Sequence, residues 1–405
     1  MVEFEFWWLF VIPFFFGLGW ISARIDIKQI ISESTDFPAA YFKGLHYLTT
    51  NQYEKAIESF TDAIKANNNS LEIHFALGSL LRRTGQLDKA ISLHVDLLEN
   101  REMSINQQES IKAELAQDYF NAGLFDRSEE LLLSLSNESY KKFKFNILLD
   151  IYVKEREWEK AIKMAEQLEK ISGVSFRKEI SHYFCEIATS MILSKNLSQA
   201  KNSLLLAIDK HKSCVRANIL LGDICENEGK FDEAISFWKK IEYQRPEYLG
   251  LVASKIINAY QSKNKINEGL STISRYYDLY KLKTLLDTLF ETVISNEGPK
   301  RAEKIARNEL IQRPSLLALD QLFQALAISK NNQIDNIELI QQTIKNTIGD
   351  RRFYSCTSCG FKGRQFHWQC PACNSWESLP SEPKDITLDE TVSVSYTHLT
   401  LPTKA

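Results

Sequence analysis

Between residues 37 and 350, apolar side chains recur every three or four positions, the spacing that lines one face of a helix. Short turns rich in Gly, Asn or Lys interrupt them. The pattern predicts a succession of amphipathic helices, and it repeats. Gly44, Gly78 and Gly222 occupy equivalent places, and Ala56, Ala90 and Ala234 follow them by twelve residues. Ala161 and Ala200 hold the same place in their own stretches. Ala56 to Ala90 is thirty-four residues, as is Ala200 to Ala234. Tyr47, Tyr119, Tyr152 and Tyr260 stand three residues after the small position, and Pro246 and Pro314 fall at unit ends. Small side chains at fixed places let two helices approach, and aromatics fill the space beside them.

The sharpest copies read YFKGLHYLTTNQYEKAIESFTDAI and ANILLGDICENEGKFDEAISFWKKI. They resemble the tetratricopeptide repeat, a helix–turn–helix unit of thirty-four residues. The expected fold class is therefore all-α, a tetratricopeptide-repeat solenoid of about eight units over residues 37–350. An irregular helical bundle is the alternative. The copies are degenerate: Arg101–Gln108 reads as an insertion, and Ser128 and Gly269 replace the alanine in two units. A solenoid of this kind offers a groove for other proteins. The chain has no phosphate loop, no HExxH and no G-x-S-x-G, so binding rather than catalysis is the expected role.

Two segments break the helical period. From Phe6 to Ala23 the chain reads FWWLFVIPFFFGLGWISA, eighteen residues without a charge, enough to cross a bilayer as one helix. Trp7, Trp8 and Trp20 lie near its ends, as interfacial anchors do, and Arg24 and Lys28 follow it. Glu3 and Glu5 do not suit the basic start of a cleaved signal peptide. Residues 1–24 are read as a membrane anchor with its helix at about 6–23 and the bulk of the protein on the cytoplasmic side. A buried helix of a soluble domain is the other use for such a segment.

The second break is CTSCGFKGRQFHWQCPAC, which places four of seven cysteines within eighteen residues. Cys356/Cys359 and Cys370/Cys373 are each C-x2-C, and two such turns complete a tetrahedral thiolate site. Gly360 and Asn374, just after each pair, are suited to a left-handed turn. Disulfides or chance clustering of free thiols would also use four cysteines, but the spacing favours metal. Thiolates suit zinc or iron, and one such ion is expected. With four thiolates in the shell, His367 is left outside it. Phe361, Phe366, Trp368 and Trp376 are read as the small core of this 351–380 domain, with Trp368 or Trp376 as candidate contacts to the repeats.

Composition adds little. Charged residues make up 25% and the formal net charge is −3, which gives no reason to expect nucleic acid as a partner. Cys185, Cys214 and Cys225 lie singly in helical stretches as small core residues, in keeping with a reducing compartment. Residues 381–393 read as a linker. The final VSYTHLTLPTKA, residues 394–405, fits no helical or strand pattern and resembles a translated sequencing adapter rather than native sequence.

One membrane helix, helical repeats and a two-turn metal knuckle, in that order, resemble the lipopolysaccharide assembly protein B family over about residues 1 to 380. The motifs that carry this are C-x2-C-G-F at Cys356–Phe361 and W-x-C-P-x-C-x-x-W at Trp368–Trp376, with LGSLLRRTGQLDKAISLH and QDYFNAGLFDRSEELL in the repeats. The resemblance implies a rubredoxin-like C-terminal domain with Cys356, Cys359, Cys370 and Cys373 as metal ligands. It also implies a regulatory adaptor in the cell inner membrane, not an enzyme. Its implied partners are the membrane AAA protease, the lipid A pathway deacetylase that this protease degrades, and a membrane-bound restraining protein. A rubredoxin-type electron carrier and a general scaffold for envelope-assembly enzymes are the alternatives.

Overall fold

The computed structural model describes residues 38–66, 70–99, 103–329, 339–340, 342–344, 346 and 352–385. The expected membrane helix at 6–23 and the tail at 394–405 lie outside them. None of the described helices is long and apolar enough to cross a membrane. The chain divides into two compact units at Val174/Ser175.

The first unit is built of paired helices: α1 (Ala39–Thr49) with α2 (Tyr53–Ala66), α3 (Leu71–Arg83) with α4 (Leu87–Glu99), α5 (Ile105–Asn121) with α6 (Phe125–Ser134), and α7 (Lys141–Lys154) with α8 (Trp158–Ser172). Ser104 starts α5 with a reciprocal capping box to Gln107, and Gly173 ends α8 in the left-handed conformation. Phe60, Ile73, Leu77, Leu80 and Leu81 form its N-terminal core around Ala56 and Ala90.

The second unit continues with α9 (Arg177–Leu193) and α10 (Leu197–Lys210), then α11 (Val215–Asn227) and α12 (Phe231–Lys239). A one-turn helix α13 (Ile241–Gln244) and a 3₁₀ segment (Pro246–Leu251) lead into α14 (Ala253–Ser262) and α15 (Ile266–Tyr280). Then come α16 (Lys283–Asn296), α17 (Pro299–Gln312) and α18 (Leu316–Ile328). Trp238, Tyr248, Tyr276 and Phe290 are the largest fully buried side chains in this core.

Two local rules account for the pairs. The small position opposes a large side chain sixteen residues on: Gly44 faces Phe60, Gly78 faces His94, and Gly222 faces Trp238. A β-carbon at residue 222 would lie 2.2 Å from Trp238 Nε1, so the helices could not close to this distance. Within the pairs, the turn pivots on one residue with positive φ: Asn51, Gly85, Gly123, Arg156, Lys195, Gly229 or Asn264. His94 is the odd aromatic. It is fully buried with Asp118, which accepts hydrogen bonds from His94 Nδ1 at 2.5 Å and from Arg82 at 2.7 Å.

Residues 352–385 depart from the helical plan. They form a three-stranded antiparallel sheet in the order β2 (Lys362–Gly363), β1 (Arg352–Ser355), β3 (Lys384–Asp385). Phe353 pairs with Lys384 and Tyr354 with Gly363. The sheet is thus closed by residues beyond 380, in the stretch read from sequence as linker.

Candidate metal centre and its docking seam

Each cysteine pair sits on a backbone loop of the same construction. Gly360 N–H donates to Cys356 C=O at 3.0 Å, and Cys356 N–H to Phe361 C=O at 2.8 Å. In the second loop Asn374 N–H donates to Cys370 C=O, and Cys370 N–H to Ser375 C=O, both at 2.9 Å. Gly360 has φ +77° and Asn374 φ +57°, the left-handed turn each position was read to need.

The loops bring the four sulfurs together. Cys356 and Cys373 Sγ are 3.7 Å apart, Cys359 and Cys370 Sγ 3.8 Å, and all four lie within 4.8 Å of one another. Four thiolates bound tetrahedrally at about 2.3 Å from zinc would stand about 3.8 Å apart. All four thiols are free, so neither pair is a disulfide. His367 is not part of the cluster. The arrangement fits a metal ion and suggests one.

The thiols also titrate unequally. Burial opposes ionisation of Cys356, but the Ser378 hydroxyl and the backbone N–H groups of Cys359 and Ser358 pull its pKa down to about 6. The Ser375 hydroxyl and N–H hold Cys373 low. Burial and the neighbouring thiols raise Cys370, and they outweigh the Phe361 N–H to raise Cys359 as well. Four sulfurs this close do not all ionise unaided; a cation makes that possible.

Phe361 and Phe366 pack beside the cysteine cluster together with Leu379 and Tyr354. Trp376 faces the helices of the same unit, and Trp368 faces both those helices and the Phe366 ring, which it meets edge-on at 5.0 Å. The Trp376 ring stacks on His182 of α9, with centroids 4.6 Å apart and planes at 13°. It also meets Tyr183 edge-on and lies under the Arg216 guanidinium. Trp368 stacks on Tyr248 at 5.3 Å. Trp376 therefore serves the contact between knuckle and helices, and Trp368 serves both that contact and the knuckle's own core.

Polar groups complete this seam, and the sequence reading identified none of them. Glu377, 4% exposed, accepts from His182 Nε2 at 3.0 Å and from Arg245 Nη1 at 2.6 Å. Burial works against its carboxylate, yet His182 and Arg245 hold it below the usual carboxyl range. Burial pushes His182 below the ordinary histidine value, although Glu377 pulls the other way. Further along, Ser381 Oγ donates to the Glu247 carbonyl. Glu382 Oε1 accepts from Thr284 N–H and Oγ1, both at 2.9 Å, which places a carboxylate at the start of α16. Residue 250 has no room for a β-carbon, which would meet Thr284 Oγ1 at 1.9 Å.

Comparison with known proteins agrees with this construction. Residues 354–380 match the rubredoxin metal binding domain family, and residues 42–100 and 215–248 match tetratricopeptide repeat families. Residues 144–171 match the PPR repeat. Lipopolysaccharide assembly protein B of Escherichia coli strain K12 is 25% identical over 373 residues, covering 91% of this chain and 96% of its own. The protein of that name from Haemophilus influenzae is 26% identical over 388 residues, with the same shares covered. Among solved structures, the C-terminal part of a TPR repeat-containing protein from Cytophaga hutchinsonii aligns over 64% of this chain and 96% of its own. That match has 15% identity and a TM-score of 0.34, too loose a superposition to bear on function. The resemblance read from the sequence holds along nearly the whole chain.

Proposed function

We propose that this chain, a relative of lipopolysaccharide assembly protein B, is an inner-membrane regulatory adaptor of lipopolysaccharide synthesis. The observation that carries the reading is the resemblance over 91% of the chain, with the four-cysteine knuckle inside the matched family. Residues 1–24 anchor the chain to the inner membrane, with residues 37–350 and 351–380 on the cytoplasmic side. The helix pairs bind other proteins, and the chain acts by holding them rather than by catalysis. It presents the deacetylase of the lipid A pathway to the membrane AAA protease, under restraint by another membrane protein. Anchoring raises the effective concentration of membrane-bound partners around it.

Cys356, Cys359, Cys370 and Cys373 hold one zinc or iron ion in this reading. The ion, when bound, cross-links the two loops and so fixes a domain too small to hold itself together. The test follows deacetylase lifetime after translation is blocked, in cells with the chain, without it, and with a Cys356→Ser/Cys359→Ser form. A longer lifetime in both altered strains is expected. No change on removing the chain would point to a general scaffold for envelope-assembly enzymes. No change in the cysteine form alone would take the knuckle out of the mechanism.

A further inference from the structure

Residues 376–382 have two working faces. One closes the sulfur cluster: Ser378 Oγ lies 3.3 Å from Cys356 Sγ, and the Ser378 carbonyl accepts from Thr357 N–H at 2.8 Å. Leu379, 1% exposed, packs on Cys356 and Cys370. The other face holds the helices, through Trp376 on His182, Glu377 on His182 and Arg245, and Glu382 on Thr284. Glu377 itself has φ +53°, a left-handed conformation that a glutamate adopts only when its surroundings impose it.

The receiving groups form a row. His182 lies in α9, Arg216 is the second residue of α11, Arg245 precedes the 3₁₀ segment, and Thr284 is the second residue of α16. Successive repeats thus present a stacking ring, two guanidinium groups and a helix N-terminus. The strip that lies on them offers a tryptophan and two carboxylates five residues apart. His182 and Arg216 receive the Trp376 ring, Arg216 while paired with Glu186; His182 and Arg245 receive the Glu377 carboxylate and Thr284 that of Glu382, and none of these receiving groups belongs to the knuckle.

We propose that this row is a peptide-recognition site for an extended segment of the form aromatic–Glu–x4–Glu. Residues 376–382 fill it in cis while the knuckle is metal-bound, and it opens to a partner protein's segment of that chemistry when the metal is lost. The gating rests on the four-cysteine assignment above; the recognition site does not. The coupling is direct, because Ser378 and Leu379 are held by the cysteine loops while their neighbours Glu377 and Trp376 are held by the repeats. Unfolding the loops removes the restraint that makes cis occupancy effectively intramolecular.

The test uses a fluorescent peptide of residues 375–385, SWESLPSEPKD, and full-length protein whose metal content is measured in each sample. Two variants open the row by different routes: Cys356→Ser/Cys359→Ser removes the metal, and Trp376→Ala/Glu377→Ala removes the cis ligand. Both are expected to bind the peptide at least about tenfold more tightly than the metal-loaded parent. Adding His182→Ala to either, or replacing both peptide glutamates by glutamine, is expected to weaken binding at least about tenfold. Equal binding by parent and both variants, or binding by neither variant, overturns the proposal. Binding by the Trp376/Glu377 variant alone overturns the metal gating. A parent without metal refutes the cysteine assignment instead, and leaves the recognition site to be judged on the second variant.

Discussion

Replacing Glu377 by alanine removes the hydrogen-bonded centre of the seam while leaving the cysteines and both tryptophans in place. The carboxylate accepts from His182 Nε2 at 3.0 Å and Arg245 Nη1 at 2.6 Å. His182 is fully buried, and its Nδ1 has no partner among the described groups, so the variant leaves the ring without any. An orphaned buried donor costs about 1–3 kcal/mol. Arg245 is 34% exposed and keeps Glu247 at 2.7 Å, so its share is about 1 kcal/mol or less. The left-handed backbone penalty is common to glutamate and alanine and cancels. Docking should weaken by about 1–4 kcal/mol, whereas Glu377→Gln, which keeps the volume and a bond to His182, should cost about 1 kcal/mol or less. The reporter is hydrogen exchange at the Thr284 amide, which donates to Glu382 Oε1 at 2.9 Å across the seam. Alanine should accelerate it by roughly 5- to 800-fold and glutamine by roughly fivefold or less. An alanine variant exchanging within about threefold of the parent would refute this account of the seam.

Gly222→Ala places a methyl group 2.2 Å from Trp238, whose indole donates to the Ile219 carbonyl at 3.3 Å. Overpacking and the disturbed bond should cost about 2–4 kcal/mol, read by urea unfolding of the second unit. Lys195, with φ +61°, should go the other way: Lys195→Gly relieves left-handed strain and should add about 0.5–1 kcal/mol after the unfolded-chain entropy of glycine is subtracted. The seam should also loosen in acid. His182 lies below its ordinary 6.5 and Glu377 below its ordinary 4.5, so each favours docking most above those values. Protease sensitivity of residues 376–385 should rise as pH falls below about 6.5 and again below about 4.5, and His182→Phe should remove the first step.

The sequence exposes what is local. The C-x2-C loops could be read because their ligands and their left-handed residues, Gly360 and Asn374, lie within a few positions of one another. The helix pairs could be read because Gly44, Gly78 and Gly222 recur with Ala56, Ala90 and Ala234, whatever fills the space between. What fills it was less legible: at residue 94 the aromatic place is taken by a histidine, and only the fold shows Asp118 and Arg82 completing it. Beyond the two tryptophans, the seam left no local trace. His182 and Glu377 are 195 residues apart, and Arg245 and Glu377 are 132 apart. A glutamate after a tryptophan reads as an ordinary surface residue until the helices beneath it are placed. Trp376 is offered by the sequence both as knuckle core and as a candidate contact to the repeats, since a large apolar ring announces that it is buried but not against what.

Metal at the four thiolates is expected to hold residues 352–385 folded and docked on the helices of the second unit. The direct measurement is to withdraw metal from the full-length protein in steps, and to compare the fraction still bound with the fraction cleaved within 352–385 by a protease. One ion per chain is expected, with cleavage that rises in proportion to metal lost while helical circular dichroism stays within a few per cent of its starting value. A metal-free chain in which 352–385 remains as protected as in the loaded protein would contradict it.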